Sequence, residues 1–144
     1  EQDFALSHPG GSLGRRLLLH VSDIMHTGDG IPRVTPGVSI SESLLEMSSK
    51  GMGMTAVVDG DNKVLGIYTD GDLRRTLDRK IYLQQTRIDQ IMTKNCKTVD
   101  ARDLAAEVLK LMEDHKINGV LVTDDDNTLI GALNMHDLLR AGVM

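Results

Sequence analysis

The chain has 144 residues, and its 16 Lys and Arg against 21 Asp and Glu leave a formal net charge of −5. That acidity argues against general nucleic-acid binding, which relies on cations displacing counterions from phosphate. With Phe4, Tyr68 and Tyr82 as its only aromatics, the chain also has no stacking platform for bases. A lone thiol, Cys96, excludes an internal disulfide and a cysteine zinc centre, and no apolar run nears the ~20 residues a membrane span needs.

In chain order, Pro9-Gly10-Gly11 and Gly14 read as a connector, followed by a short amphipathic helix from Arg15 to Val21. A β-segment is expected around Ile31 to Val34. Leu44, Leu45 and Met47 have helical spacing within Ser41 to Lys50, after a Ser-rich start that can cap the helix. Gly51-Met52-Gly53-Met54 lacks a phosphate-loop pattern and reads as a helix C-cap entering a core strand, Met54 to Val58. Asp59-Gly60-Asp61-Asn62 is hairpin-turn chemistry, Lys63 to Tyr68 the return strand, and Asp70 to Asp78 a second helix. The same order returns as a β-segment at Lys97 to Val99, a helix from Asp103 to Lys116, strands at 120–123 and 128–133 around a turn at Asp124 to Asn127, and a short helix from Met135 to Arg140.

That return is a true repeat. Displaced by 65 positions, residues 34–75 fall on 99–140, with Glu42/Glu107, Met47/Met112, Asp59/Asp124, Asn62/Asn127, Gly66/Gly131, Asp72/Asp137 and Arg75/Arg140 among the identities. Upstream, Asp23-Ile24-Met25 echoes Gln90-Ile91-Met92 at a displacement of 67. Two copies of a long period point to a pseudo-twofold pair, since a solenoid needs three or more repeats. Neither unit can bury enough apolar surface alone, so the two sheets are expected to share a core. The eight Met are read as core fill.

The chain thus resembles a tandem pair of cystathionine-β-synthase-type (CBS) domains over residues 22–141. The resemblance rests on the Ile-Met step before each unit, the β-α-β-β-α order, and the ending Gly-x-x-Thr-x-x-Asp at Gly66, Thr69 and Asp72. In the second unit the ending is Gly131, Asn134 and Asp137, with Asn where the family has Thr. The implied fold is α/β (α+β) with pseudo-twofold symmetry. The implied division is an end of a sugar-phosphate isomerase (SIS) domain plus linker at 1–21, a first CBS domain at 22–80 and a second at 81–144. Residues 4–18, with His8-Pro9-Gly10-Gly11-Ser12-Leu13-Gly14-Arg15, are similar to the stretch that leads into the CBS pair of bacterial arabinose-5-phosphate isomerases. Those enzymes interconvert ribulose 5-phosphate and arabinose 5-phosphate, supplying the lipopolysaccharide sugar 3-deoxy-octulosonate (Kdo). The chain opens on Glu1 rather than Met and is expected to be a piece of such a protein, with the isomerase body upstream.

Thr69 and Asp72 flank a strand-to-helix junction and project the same way. A carboxylate there suits a ribose diol, and the hydroxyl and free N–H groups of the helix start suit a phosphate. An Asp at a helix start is equally explained as a cap, and both readings stand for Asp72 and Asp137. The resemblance implies two clefts between the halves, with Thr98 and Val99 facing the first ending and Arg33 and Val34 the second. Lys94, Lys97 and Arg33 are the cations expected near a phosphate, and His136 a further candidate contact. His8 matches a catalytic histidine of the isomerases but has no site around it here. The acidic turns lack the long Glu-ended loop of a calcium site, and the five His lack metal-ligand spacing.

The expected function is a non-catalytic regulatory module in a cytoplasmic enzyme. It would bind a nucleotide or nucleotide-sugar, either the activated sugar CMP-Kdo or an adenine nucleotide such as AMP or ATP. It would act on the parent isomerase domain through residues 9–22, within a homodimer of CBS pairs inside a homo-oligomer, with no nucleic-acid or membrane partner. The alternative is a purely structural dimerisation module with empty clefts.

Overall fold

The computed structural model describes residues 18–144. Chain order is α1 (Val21–Ile24), β1 (Arg33–Val34), α2 (Ile40–Lys50), β2 (Met54–Val58), β3 (Val64–Thr69) and α3 (Asp70–Asp78). The second half continues with β4 (Thr93–Lys94), β5 (Thr98–Val99), α4 (Ala105–His115), β6 (Gly119–Thr123), β7 (Leu129–Asn134) and α5 (Met135–Arg140). The mixed α/β fold and its internal repeat agree with the sequence reading. Of the helix expected from Arg15 to Val21, residues up to 17 lie outside the described part, as does His8. Leu18, the first described residue of that stretch, is helical, and a separate short helix follows at Val21–Ile24.

Local chemistry sets the helix ends. Ser39 accepts from the Glu42 amide and Glu42 accepts from the Ser39 amide, both at 3.1 Å, which starts α2 as a capping box. Gly51, at φ 68°, ends it in the left-handed conformation. In the second half Leu104 stands where Ser39 does, and α4 begins at Ala105 rather than Asp103. Asp103 is spent on the preceding turn, where its carboxylate accepts from the Asp100 amide at 3.0 Å. Asp59 Oδ1 accepts from the Asp61 and Lys63 amides, and Asp124 Oδ1 from the Asp126 and Thr128 amides, all at 2.9 Å. The acidic clusters are therefore hairpin turns that use their carboxylates internally.

One sheet has the order β1-β2-β3-β4 and the other β5-β6-β7. Each hairpin is antiparallel, and each leading strand adds in parallel. All five residues of β2 are buried, since helices cover one face of its sheet and the other half covers the opposite face. Met54, Ala56 and Ile67 from the first half meet Leu121, Leu129 and Ala132 from the second in a shared apolar cluster. At the hairpin tips the halves are clasped directly. The Asn62 side chain donates to Leu129 O at 2.9 Å and the Asn127 side chain to Val64 O at 3.0 Å, with Lys63 and Thr128 forming a bridge between them.

The packing does not follow a division of the chain at residue 80. Val21, Ile24 and Met25 belong to the core of the second half, while Ile81, Leu83, Ile88, Ile91 and Met92 belong to that of the first. The Val21 amide donates to Asp103 O at 2.8 Å, and at the equivalent point the Ile88 amide donates to Val38 O at 2.7 Å. Each leading segment crosses to the other half.

Candidate functional site

The clasp holds one end of the two hairpins. At the other end, where β2 and β6 begin and β3 and β7 finish, the halves part around a cleft of about 720 Å³. Met52, Gly53 and Met54 line it on one side, and Ile117, Asn118 and Gly119 answer them across the pseudo-twofold. Gly53 has φ 74°, and an added Cβ would lie 3.1 Å from an Asp70 carboxylate oxygen. The left-handed φ favours glycine, and a side chain would also require the Asp70 carboxylate to give way. The Asp70 amide donates to Gly53 O at 3.0 Å and the Met135 amide to Asn118 O at 2.9 Å, which seats both short helices on the rim.

Thr69, Asp72, Asn134 and His136 all line this one cleft, whereas the resemblance implied two, one at each ending. Asp72 Oδ2 accepts from the Thr69 amide and hydroxyl, each at 3.0 Å, while the Asp72 amide donates to Thr69 Oγ1 at 3.2 Å. The cap is thus real, and it occupies one carboxylate oxygen. Oδ1 faces Arg75, at 2.6 Å, and the Thr93 hydroxyl, at 3.3 Å. Arg75 is 70% exposed, so this ion pair is a weak restraint on the carboxylate.

Asn134 caps α5 as Thr69 caps α3, its side-chain oxygen accepting from the Asp137 amide at 2.9 Å. The departure from the family Thr has a use: the spare amide reaches Met52 O in the other half at 3.4 Å. Asp137 does not line the cleft. Its carboxylate is buried beneath His26 Nε2, at 2.8 Å from Oδ1, and Arg140, at 2.7 Å.

The expected backbone donors fall elsewhere. Thr98 and Val99 pair with β6 of their own half, and Arg33 and Val34 with β2 of theirs. None of the four is among the lining residues. Arg33 donates to Asn62 Oδ1 at 2.8 Å and Gly28 O at 3.0 Å, which fixes it by the hairpin. The segment that does reach the first ending lies just upstream, because β4 joins the edge of β3 with Thr93 opposite Ile67. Thr93, Asn95, Cys96 and Lys97 consequently line the cleft; of the cations expected, Lys97 is there and Lys94 is not. Burial pushes the Cys96 thiol above its ordinary value, which favours the neutral thiol in the cleft wall.

Sequence reasoning missed Arg74, Thr93 and Lys116. Arg74 directly follows the motif, and Thr93 directly follows the Ile-Met step, so both were within reach of the repeat. Lys116 is the left-handed C-cap of α4, at φ 56°, which carried no motif. Four cations, Arg74, Arg75, Lys97 and Lys116, line the cleft against two carboxylates, Asp70 and Asp72, with His115 and His136 beside them. In a chain of net charge −5 this is a local reversal of sign. Among the described residues no group of His, Cys, Asp and Glu could hold a metal ion, and no helix is long and apolar enough to cross a membrane.

Arabinose 5-phosphate isomerase KdsD of Pseudomonas aeruginosa is 61% identical over 143 residues, 99% of this chain and 44% of that protein. The protein of the same name from Escherichia coli K12 is 51% identical over 143 residues, 99% of this chain and 43% of its own length. The chain spans under half the length of these curated relatives. Among solved structures, the CBS domain pair of protein MJ0100, in complex with 5′-methylthioadenosine and S-adenosyl-L-methionine, has a TM-score of 0.77 at 25% identity, over 85% of this chain and 94% of that one. A conserved protein from Pyrococcus horikoshii has a TM-score of 0.77 at 25% identity, over 89% and 95% of the two chains. The family description of the CBS domain matches residues 21–79 and again 88–143, and with two copies of that domain sharing one core and one cleft, the chain belongs to the CBS-domain family as a tandem pair.

Proposed function

We propose that the chain is the regulatory, non-catalytic CBS pair of an arabinose 5-phosphate isomerase, and that its cleft takes an anionic nucleotide or nucleotide-sugar. The identity to the KdsD proteins supports the parentage. One observation carries the ligand class: four cations surround a cleft of about 720 Å³ in an acidic chain, with Asp72 at its edge. Asp72 Oδ1 would exchange the exposed Arg75 and the long Thr93 contact for a ribose diol. The phosphate would lie among Arg74, Lys97 and Lys116, and the base against Met52, Met54 and Ile67. The adenosine ligands of the MJ0100 pair favour an adenine nucleotide, whereas the biosynthetic role of the relatives favours CMP-Kdo. Binding would reach the isomerase domain through residues 9–22.

Thermal unfolding with AMP, ATP, CMP and CMP-Kdo tests this reading. A true ligand raises the midpoint by mass action, about 2.7 kcal/mol at a hundredfold excess over Kd. No shift with any of the four at millimolar concentration rejects it. The structural alternative has its own support in the exposed side chains of Leu45, Leu77 and Tyr82. It requires a homodimer in sedimentation whose stability no nucleotide changes.

A further inference from the structure

The two half-sites are built on the same plan. In the first, Thr93 stands opposite Ile67 on the edge of β3 and its hydroxyl points at Asp72. In the second, His26 bridges to Ala132 on the edge of β7, and its imidazole points at Asp137. Ile67 and Ala132 are repeat partners at 65 positions, and Thr93 and His26 are partners at 67, so one residue replaces the other at one place in the fold. Arg75 and Arg140 are likewise partners and grip their carboxylates alike, at 2.6 and 2.7 Å.

The replacement changes what the carboxylate can do. Thr93 lies 3.3 and 3.4 Å from the two oxygens of Asp72, at the limit of a hydrogen bond. His26 is longer and closes to 2.8 Å. Asp137 then spends Oδ1 on His26 and Arg140 and Oδ2 on the Asn134 amide, at 2.9 Å. Its side chain is 4% exposed. Both oxygens of that carboxylate are engaged, and the small pocket of about 380 Å³ at this end is walled by His26, Asp137 and Arg140 themselves. We propose that His26 is an internal plug, an imidazole held where the ligand would sit, so that the pair takes one ligand per chain, at Asp72. This rests on the reading of the Asp72 cleft as a nucleotide site.

Removing the plug should create a second site. His26→Thr places beside Asp137 the hydroxyl that faces Asp72, leaving Asn134 and Arg140 as they are. That half-site still lacks the cations of the first, since Leu139 stands for Arg74 and Gly30 for Lys97. The opened site should therefore hold adenosine almost as well as AMP, while the original prefers AMP.

Calorimetric titration with AMP and with adenosine reads this directly. The wild-type chain is expected to bind one AMP. His26→Thr is expected to bind two, the second weaker and lost again on adding Asp137→Asn. His26→Ala serves as the check should the Thr variant unfold, judged by circular dichroism. Two sites in the wild type, or one in both His26 variants, overturns the plug while leaving the Asp72 site standing. No site in the wild type and one Asp137-dependent site in His26→Thr keeps the plug and rejects the proposed function. No binding by any variant rejects both.

Discussion

Asp72 and Asp137 occupy the same step of the repeat, each three residues past the cap of a short helix. Both close a capping box, and both hold the arginine three residues on. Their surroundings differ. Asp72 looks into a cleft with Arg74 and Lys97 nearby, and Asp137 sits beneath an imidazole with Leu139 and Gly30 at the matching places. The cap is thus common to both halves and carries no information about binding. On the proposed reading, what separates a ligand-binding carboxylate from a structural one is the crossing segment laid beside it, Thr93 in one half and His26 in the other.

The largest expected effect comes from deleting each carboxylate in turn. Asp72→Ala should weaken AMP binding at least tenfold, the equivalent of about 1.4 kcal/mol, and cost only the cap, about 1 kcal/mol of stability. Asp137→Ala should leave AMP binding intact but destabilise more, about 2–3 kcal/mol, because the 4% exposed carboxylate loses its bond to His26 along with the cap, the 61% exposed Arg140 adding little. Urea unfolding and titration of both variants check the crossover. Equal effects on binding from the two would dissolve the distinction.

The edges of β3 and β7 also carry glycines whose surroundings differ. A Cβ at Gly66 would lie 2.7 Å from the backbone oxygen of Thr93, whereas at Gly131 the nearest atom is the sulfur of Met25, a flexible side-chain atom. Gly66→Ala should therefore cost about 2–3 kcal/mol and weaken AMP binding by pushing β4 from β3, against about 1 kcal/mol for Gly131→Ala. Denaturation midpoints of the two variants decide it. Equal costs would mean that the edge of the first sheet yields as readily as a methionine.

Much of the plan behind this asymmetry is legible in the sequence, and part of it is not. Displacement by 65 positions pairs the strands, turns, helices and the two Asp correctly because local patterns of period 2 and 3.6 and the Asx turns are written in neighbouring residues. The crossing of residues 21–26 and 88–93 is not legible. Val21 and Ile88 are apolar residues that either half could bury, and which half wins is decided by contacts far away in the chain, such as Val21 with Asp103. The placement of Thr98, Val99, Arg33 and Val34 near the motifs fails for the same reason: a two-residue strand shows that it pairs, not where its ends lead. Asn134 is visible as a departure, but its reach to Met52 across the halves is not.

The first half also buries polarity that the second replaces with carbon. Tyr68 is fully buried, with its hydroxyl 2.8 Å from Thr76 Oγ1, and their repeat partners are Leu133 and Ala141. Thr76→Ala should cost about 1–2 kcal/mol, since it strands the Tyr68 hydroxyl, and Tyr68→Phe in addition should recover part of that loss. A double variant that loses the sum of the two single costs, measured in urea, would show that the pair is not coupled.

The smallest expected difference is in acid. Glu46 has Leu111 as its repeat partner, so its titration belongs to the first half alone. Partial burial pushes its carboxyl upward, but the Lys50 ammonium at 2.7 Å and the Arg33 amide at 2.9 Å outweigh that and hold it below its ordinary value. A lowered folded value means that the stabilisation is complete above the unfolded pKa, about 4.3, and is lost as pH falls through the folded one. The wild type should therefore lose up to about 1 kcal/mol more than Glu46→Gln on acidification below pH ~4.5, a surface-pair magnitude. Urea midpoints of both proteins in steps from pH 6 to pH 3 read the difference. Parallel curves would mean that the Lys50 and Arg33 contacts do not bias the proton on Glu46, and that the pH response is shared by the halves rather than placed in one.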